Sequence, residues 1–170
     1  MTDGPGQGNR SFARVYDDHL VQVFRFLSYR TSSRDLAEDL TQVTFEKALR
    51  AWPRYDPRKG AVLTWLLAIA RNVLIDHLRA DRGDVRLDDE RAQTITTPDE
   101  PRLGPSSELA SALSVLSDRE REILGLRFGA DLQGPEIAAL TGLTLANVQQ
   151  ILSRSLRKLR SQLEPDGPRT

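Results

Sequence analysis

Residues 116–160 read L-S-D-R-E-R-E-I-L-G-L-R-F-G-A-D-L-Q-G-P-E-I-A-A-L-T-G-L-T-L-A-N-V-Q-Q-I-L-S-R-S-L-R-K-L-R, and their punctuation decides the architecture. Ser117 and Glu120 make an S-x-x-E capping box, and the helix it opens turns Ile123, Leu124 and Leu126 inward. Pro135 suits a first helical turn. The short helix E-I-A-A-L stops at Gly142, a residue suited to the left-handed C′ position, and Thr144 can cap a longer helix running to about Leu163. A short helix, a tight glycine turn and a longer basic helix spell a helix-turn-helix. On the wheel of the last helix Leu145, Val148, Ile151, Leu152, Ser155, Leu156 and Leu159 face inward. Ala146, Asn147, Gln149, Gln150, Ser153, Arg154, Arg157 and Lys158 face outward. Amides suit adenine edges and the cations behind them suit phosphates.

Upstream, Phe12, Val15, Tyr16, Leu20, Val23, Phe24 and Leu27 recur at three- and four-residue steps and predict a first amphipathic helix. Ser32 and Asp35 resemble a capping box for a second, which runs through Leu36, Leu40 and Val43 to Trp52, before Pro53. The segment P-R-Y-D-P-R-K-G at 53–60 is a turn by composition. A third helix over roughly 62–82 buries Val62, Leu63, Leu66, Leu67, Ile69, Ala70, Val73, Leu74 and Leu78. It leaves a stripe of Thr64, Ala68, Arg71, Asn72, Ile75, Arg79 and Arg82. That stripe has donors for phosphates and base edges, although an ordinary solvated face is the more common meaning of such a stripe.

Residues 83–107 hold three of the nine prolines, with 3 basic against 6 acidic residues, which suits an extended linker. Residues 1–10 read as a loose tail. The fold expected is all-α: an N-terminal helical bundle over 11–82 and a helix-turn-helix domain over 108–164, joined by a flexible linker. The 170 residues carry 24 basic and 24 acidic side chains and no cysteine. Disulfides, thiolate catalysis and Cys-ligated zinc are excluded, and nucleic acid could be met only by a local patch. No segment reads as a leader or a membrane span, so a cytoplasmic protein is expected. His19 and His77 lie far apart, without metal-binding or triad context, and no Gly-rich phosphate loop follows a strand. Neither catalytic residues, a metal nor a cofactor is expected.

Five strings, taken in order, resemble the extracytoplasmic-function sigma factors of bacterial RNA polymerase. They are F-A-R-V-Y-D-D-H-L (12–20), A-E-D-L-T-Q-V-T-F-E-K-A-L (37–49), Y-D-P-R-K-G-A-V-L-T-W-L-L-A-I-A-R-N-V-L-I-D-H-L-R (55–79), L-S-D-R-E-R-E-I-L-G-L-R-F (116–128) and E-I-A-A-L-T-G-L (136–143). The resemblance implies that Glu38, Asp39 and Gln42 face the clamp helices of core polymerase, whose flap is a further contact. It implies that Thr64, Trp65, Arg71, Asn72 and Arg79 read and melt the −10 element. Trp65 is either a stacking platform for a melted base or a core residue. Thr144, Asn147, Gln149, Gln150, Ser153, Arg154, Arg157 and Lys158 are implied for the −35 element. An anti-sigma factor is an implied partner, and membrane insertion is not.

The family often carries Thr-Val-Lys-Ser-Arg in the recognition helix, where this chain has Asn147-Val148-Gln149-Gln150-Ile151. The −35 preference therefore does not transfer. The chain ends soon after the helix-turn-helix, and no further C-terminal domain is expected. The competing reading is an autonomous helix-turn-helix regulator, because L-S-D-R-E-R-E-I-L also resembles the DNA-binding half of two-component activators.

Overall fold

The fold follows from amphipathic helices that cannot bury their apolar stripes alone. The computed structural model describes residues 5–83 and 105–164. α1 spans Pro5–Arg30, α2 Arg34–Ala51 and α3 Val62–Gly83, with a 3₁₀ turn at Trp52–Arg54 after α2. α4 (Ser107–Leu113), α5 (Asp118–Leu124), a π-helical turn (Gly125–Gly129), α6 (Gly134–Thr141) and α7 (Leu145–Leu163) follow. No strand occurs among the described residues, in keeping with the all-α reading. Residues 84–104 of the expected linker lie outside the described residues.

Most caps are where the sequence puts them. Ser117 accepts from Glu120 N at 3.2 Å while the Glu120 carboxylate accepts from Ser117 N at 2.9 Å, a closed capping box. Thr144 accepts from Asn147 N, and Gly142 has φ +74°, the left-handed conformation that stops α6. Two boundaries differ. α1 begins at Pro5, inside the expected tail, since proline tolerates the first turn of a helix, whose N–H groups lack partners anyway. The cap of α2 is Ser33, whose hydroxyl accepts from Leu36 N at 3.1 Å. Ser32 lies outside the helix and Asp35 sits in its first turn, where a carboxylate favours the positive end of the dipole.

The three N-terminal helices pack around Val23, Phe26, Leu27, Leu66, Leu67 and Ala70, each fully buried. The C-terminal unit packs against the N-terminal one. Ile123, Leu126, Ala130, Leu132, Ile137 and Val148 join the same continuous core, and Ala112, Leu113, Leu116, Leu124 and Leu159 form a smaller second one. Each unit alone is too small to cover much apolar surface, so a shared core is the favourable solution.

Two glycines allow that approach. A Cβ on Gly129 would stand 3.0 Å from the Arg25 carbonyl carbon and the Phe26 nitrogen, and one on Gly125 would stand 3.0 Å from Tyr29 Cβ. The π turn, which leaves the Leu124–Leu126 stretch buried and carries Phe128 out to 48% exposure, lies directly against α1.

Candidate nucleic-acid interface

On α2, Ala37, Leu40, Thr41, Thr44, Phe45 and Ala48 are buried. The two threonines are satisfied internally, Thr41 donating to Ala37 O at 2.6 Å and Thr44 to Leu40 O at 2.7 Å. That stripe fixes the opposite face, so Glu38, Asp39 and Gln42 are exposed together. Glu38 pairs with Arg34 at 2.9 Å and Gln42 donates to Glu46 at 3.2 Å. Val43 is 37% exposed beside them. It lies three residues from buried Leu40 but on the edge of the stripe, so the face mixes acid, amide and aliphatic groups.

On α3 the buried stripe is Leu66, Leu67, Ala70, Val73 and Leu74. Thr64 and Trp65 are half-buried. Trp65 lies 5.0 Å from the Tyr55 ring centroid and 5.9 Å from Trp52, while Trp52 and Tyr55 stack at 5.1 Å. The Tyr55 hydroxyl donates to Gly60 O, and Asp56 accepts from Arg58 N and its guanidinium, which holds the Asp56 carboxyl below its usual range. The 53–60 turn is thus folded onto Trp65, and the ring belongs to an aromatic cluster at the surface.

Asn72 and Arg79 are exposed and border a groove of about 530 Å³ between α2 and α3. Lys47 and Asp76, 3.7 Å apart, line the same groove. Lys47 went unnoticed in the sequence because its cation comes from a neighbouring helix. Arg71 is not with them. Its Nε donates to Glu122 Oε1 at 2.6 Å and an Nη to Leu140 O at 2.8 Å, both in the C-terminal unit. Glu122 and Leu140 were invisible as partners, lying 51 and 69 residues along the chain.

On α7, Asn147, Gln149, Gln150, Ser153, Arg154 and Arg157 are exposed along one side. Val148, Ser155 and Leu159 are buried and Ile151 and Leu152 half-buried. Leu145 and Leu156, expected inward, are 40% and 44% exposed. Leu145 sits at the first turn, over Gly134, where an added Cβ would meet its Cδ1 at 2.8 Å. Thr144 spends its oxygen on the cap. Lys158 turns away from the row and holds Glu120 at 2.7 Å.

Glu120 therefore carries a pH-dependent load. Burial pushes its carboxyl up, but hydrogen bonds from Lys158 and Ser117 N and the Lys158 charge outweigh this, and its pKa falls below the usual 4.5. A depressed folded pKa means stability that is fully present above the unfolded value and lost as pH falls through the folded one. Glu120→Gln keeps an amide able to close the box but loses the charge. Its thermal midpoint should lie below the parent's at neutral pH, and the gap should narrow as pH falls below the usual 4.5 and close once the folded-state carboxyl is protonated. An unchanged gap at low pH would assign the effect to packing.

Among the described residues no helix is long and apolar enough to cross a membrane. Residues 15–83 match the family model "Sigma-70 region 2" and residues 112–161 match "Sigma-70, region 4". The chain is 34% identical to the ECF RNA polymerase sigma factor SigC of Mycobacterium tuberculosis, over 96% of this chain and 87% of that one. It is 30% identical to the ECF RNA polymerase sigma factor BldN of Streptomyces coelicolor over 94% of this chain, and spans 62% of that protein's length. Its fold is similar to the sigma factor RpoE of Bartonella quintana, solved in complex with the anti-sigma factor NepR, with a TM-score of 0.77, 22% identity and coverage of 93% and 99%. With both region models in order along one chain, and a 34% identical relative covered over 87% of its length, this protein belongs to the extracytoplasmic-function sigma factors of RNA polymerase.

Proposed function

We propose a division of labour among three helices for this sigma factor. The exposed Glu38–Asp39–Gln42 face of α2 docks on the clamp helices of core polymerase, with the flap as a second contact. α3 engages the −10 element through Asn72 and Arg79, whose groove also presents Lys47. α7 reads the −35 element. The observation that carries this reading is the single exposed row Asn147, Gln149, Gln150, Ser153, Arg154 and Arg157 behind a capped helix N-terminus, the end that enters the major groove in helix-turn-helix proteins. Catalysis belongs to the polymerase, and the protein works beside it in the cytoplasm. An anti-sigma factor, like the partner of the Bartonella relative, is a further proposed ligand.

Glutamine pairs bidentately with adenine N6 and N7, whereas arginines further along hold phosphates. In transcription from a promoter library, Gln149→Ala or Gln150→Ala should relax A·T preference at one or two −35 positions by about 1–3 kcal/mol. Arg154→Ala or Arg157→Ala should weaken all promoters nearly uniformly. The opposite pattern would overturn the register. On the other reader, Asn72→Ala and Arg79→Ala should lower open-complex formation more than binding to a template with its −10 strand already unpaired. Equal loss on a fragment lacking the −10 element would sink that role.

A further inference from the structure

The angle of α7 against α5 decides where its exposed row lies. Apolar packing sets how deep the helix sits. Val148, Ser155 and Leu159 are its buried residues, and Leu159 joins Leu113, Leu116 and Leu124 in the smaller core. Such burial is non-directional, so it fixes depth better than tilt. Ser155 adds no directional bond, since its buried hydroxyl has no hydrogen-bond partner among the described residues.

Lys158 supplies a directional bond. Its Nζ donates to Glu120 Oε1 at 2.7 Å, while Glu120 Oε2 accepts from Ser117 N at 2.9 Å. Each carboxylate oxygen thus has its own donor, one at the start of α5 and one on α7. The Glu120 side chain is 9% exposed and that of Lys158 45%. An accessible ammonium is therefore anchored on a nearly buried carboxylate that the capping box already holds. Charge-assisted bonds of this kind are roughly twice as strong as neutral ones. Leverage makes the angle matter. Gln149 precedes Leu159 by ten residues, roughly 15 Å along the helix. A tilt of about 5° pivoting at Leu159 moves Gln149 by roughly 1.3 Å, beyond the ~0.5 Å within which a binding constellation must be held.

We infer that Glu120 and Lys158 are positioning residues for −35 recognition. The pair braces α7 against the capped start of α5 and keeps Gln149 and Gln150 aligned with the base edges. This rests on the assignment of α7 to the −35 element. Lys158, implied by the family resemblance as a DNA contact, acts instead through Glu120. With its charge matched by that carboxylate, it adds no counterion release when DNA binds, whereas Arg157, proposed on a phosphate, does.

The test is transcription by the full chain with core polymerase from the duplex promoter library at several salt concentrations, below the thermal midpoint of every variant. Lys158→Met and Glu120→Gln should each reduce base discrimination about fivefold at the −35 positions that the glutamines read. The slope of log affinity against log salt should stay at the parent's value. Lys158→Arg should restore discrimination, and the double variant should be no worse than either single one, since both remove the same contact. Arg157→Ala should instead reduce the salt slope by about 1 and leave base preference intact. A Lys158→Met variant that behaves like Arg157→Ala would make Lys158 a direct phosphate contact and overturn the brace. Unchanged base preference in both single variants, even with lowered thermal midpoints, would overturn it too, as would losses that multiply in the double variant. If Glu120→Gln loses helical circular dichroism, Lys158→Met, made at a half-exposed side chain, decides alone. Base preference left unchanged by both Gln149→Ala and Gln150→Ala would refute the assignment of α7 itself.

Discussion

Asp39→Arg combined with Gln42→Ala should abolish co-elution of the protein with core RNA polymerase. Both side chains are exposed on α2 and neither contributes to the core. Reversing one charge and truncating the adjacent amide places a cation where the proposed interface wants acid, and like-charge placement at an interface costs several kcal/mol. A loss of affinity of at least about a hundredfold, or 2.8 kcal/mol, is expected. Surface changes of this kind alter stability little, so helical circular dichroism and the thermal midpoint should stay within a few degrees of the parent. Normal co-elution of the double variant would show that another face carries the contact.

Phe26→Ala should destabilise both halves of the molecule at once. Phe26 is fully buried on α1, part of the core shared with Ile123, Leu126 and Ala130, and its ring lies 3.2 Å from where a Cβ on Gly125 would stand. Truncating a buried phenylalanine costs about 3–5 kcal/mol, a large share of the 5–15 kcal/mol typical of a small protein. Heat denaturation followed by circular dichroism should show one cooperative transition in the parent, moved down by well over ten degrees in the variant. Two transitions in the parent, only the lower of them shifted, would mean that the halves unfold independently and the shared core is not formed in solution.

What was legible in the sequence was mostly local. Caps at Ser117, Gly142 and Thr144 depend on residues within four positions of each other, and single-residue chemistry announces them. The buried stripe of α3 was readable because its apolar positions follow the helical period from Leu66 to Leu74, while Val62, Leu63, Ile69 and Leu78, also read as buried, are half-buried at its margins. What escaped was set by distant chain. Arg71 looked like a solvent-facing donor since Glu122 and Leu140 are far away in sequence. Lys158 fitted the α7 wheel, yet Glu120 draws it back. Leu145 and Leu156 were assigned inward by hydrophobicity, yet they stand 40% and 44% exposed. The merging of two units into one core had a trace in G-L-R-F-G at 125–129, where two glycines four apart in an apolar helical stretch permit close backbone approach. Composition pointed to two small units and a linker and carried no signal of the packing between them.

The helix assignments at α2, α3 and α7 converge on one claim: the chain directs polymerase to promoters and does not act on duplex DNA alone. The most direct measurement is transcription from a library of duplex fragments varied upstream of a reporter start, with core polymerase alone, the purified chain alone, and both together. The account predicts discrete transcripts only with both components, from templates sharing a −35 and a −10 block at fixed spacing. Tight, sequence-specific binding of the isolated chain to duplex DNA, with no chain-dependent transcripts from core polymerase, would contradict it and favour an autonomous helix-turn-helix regulator.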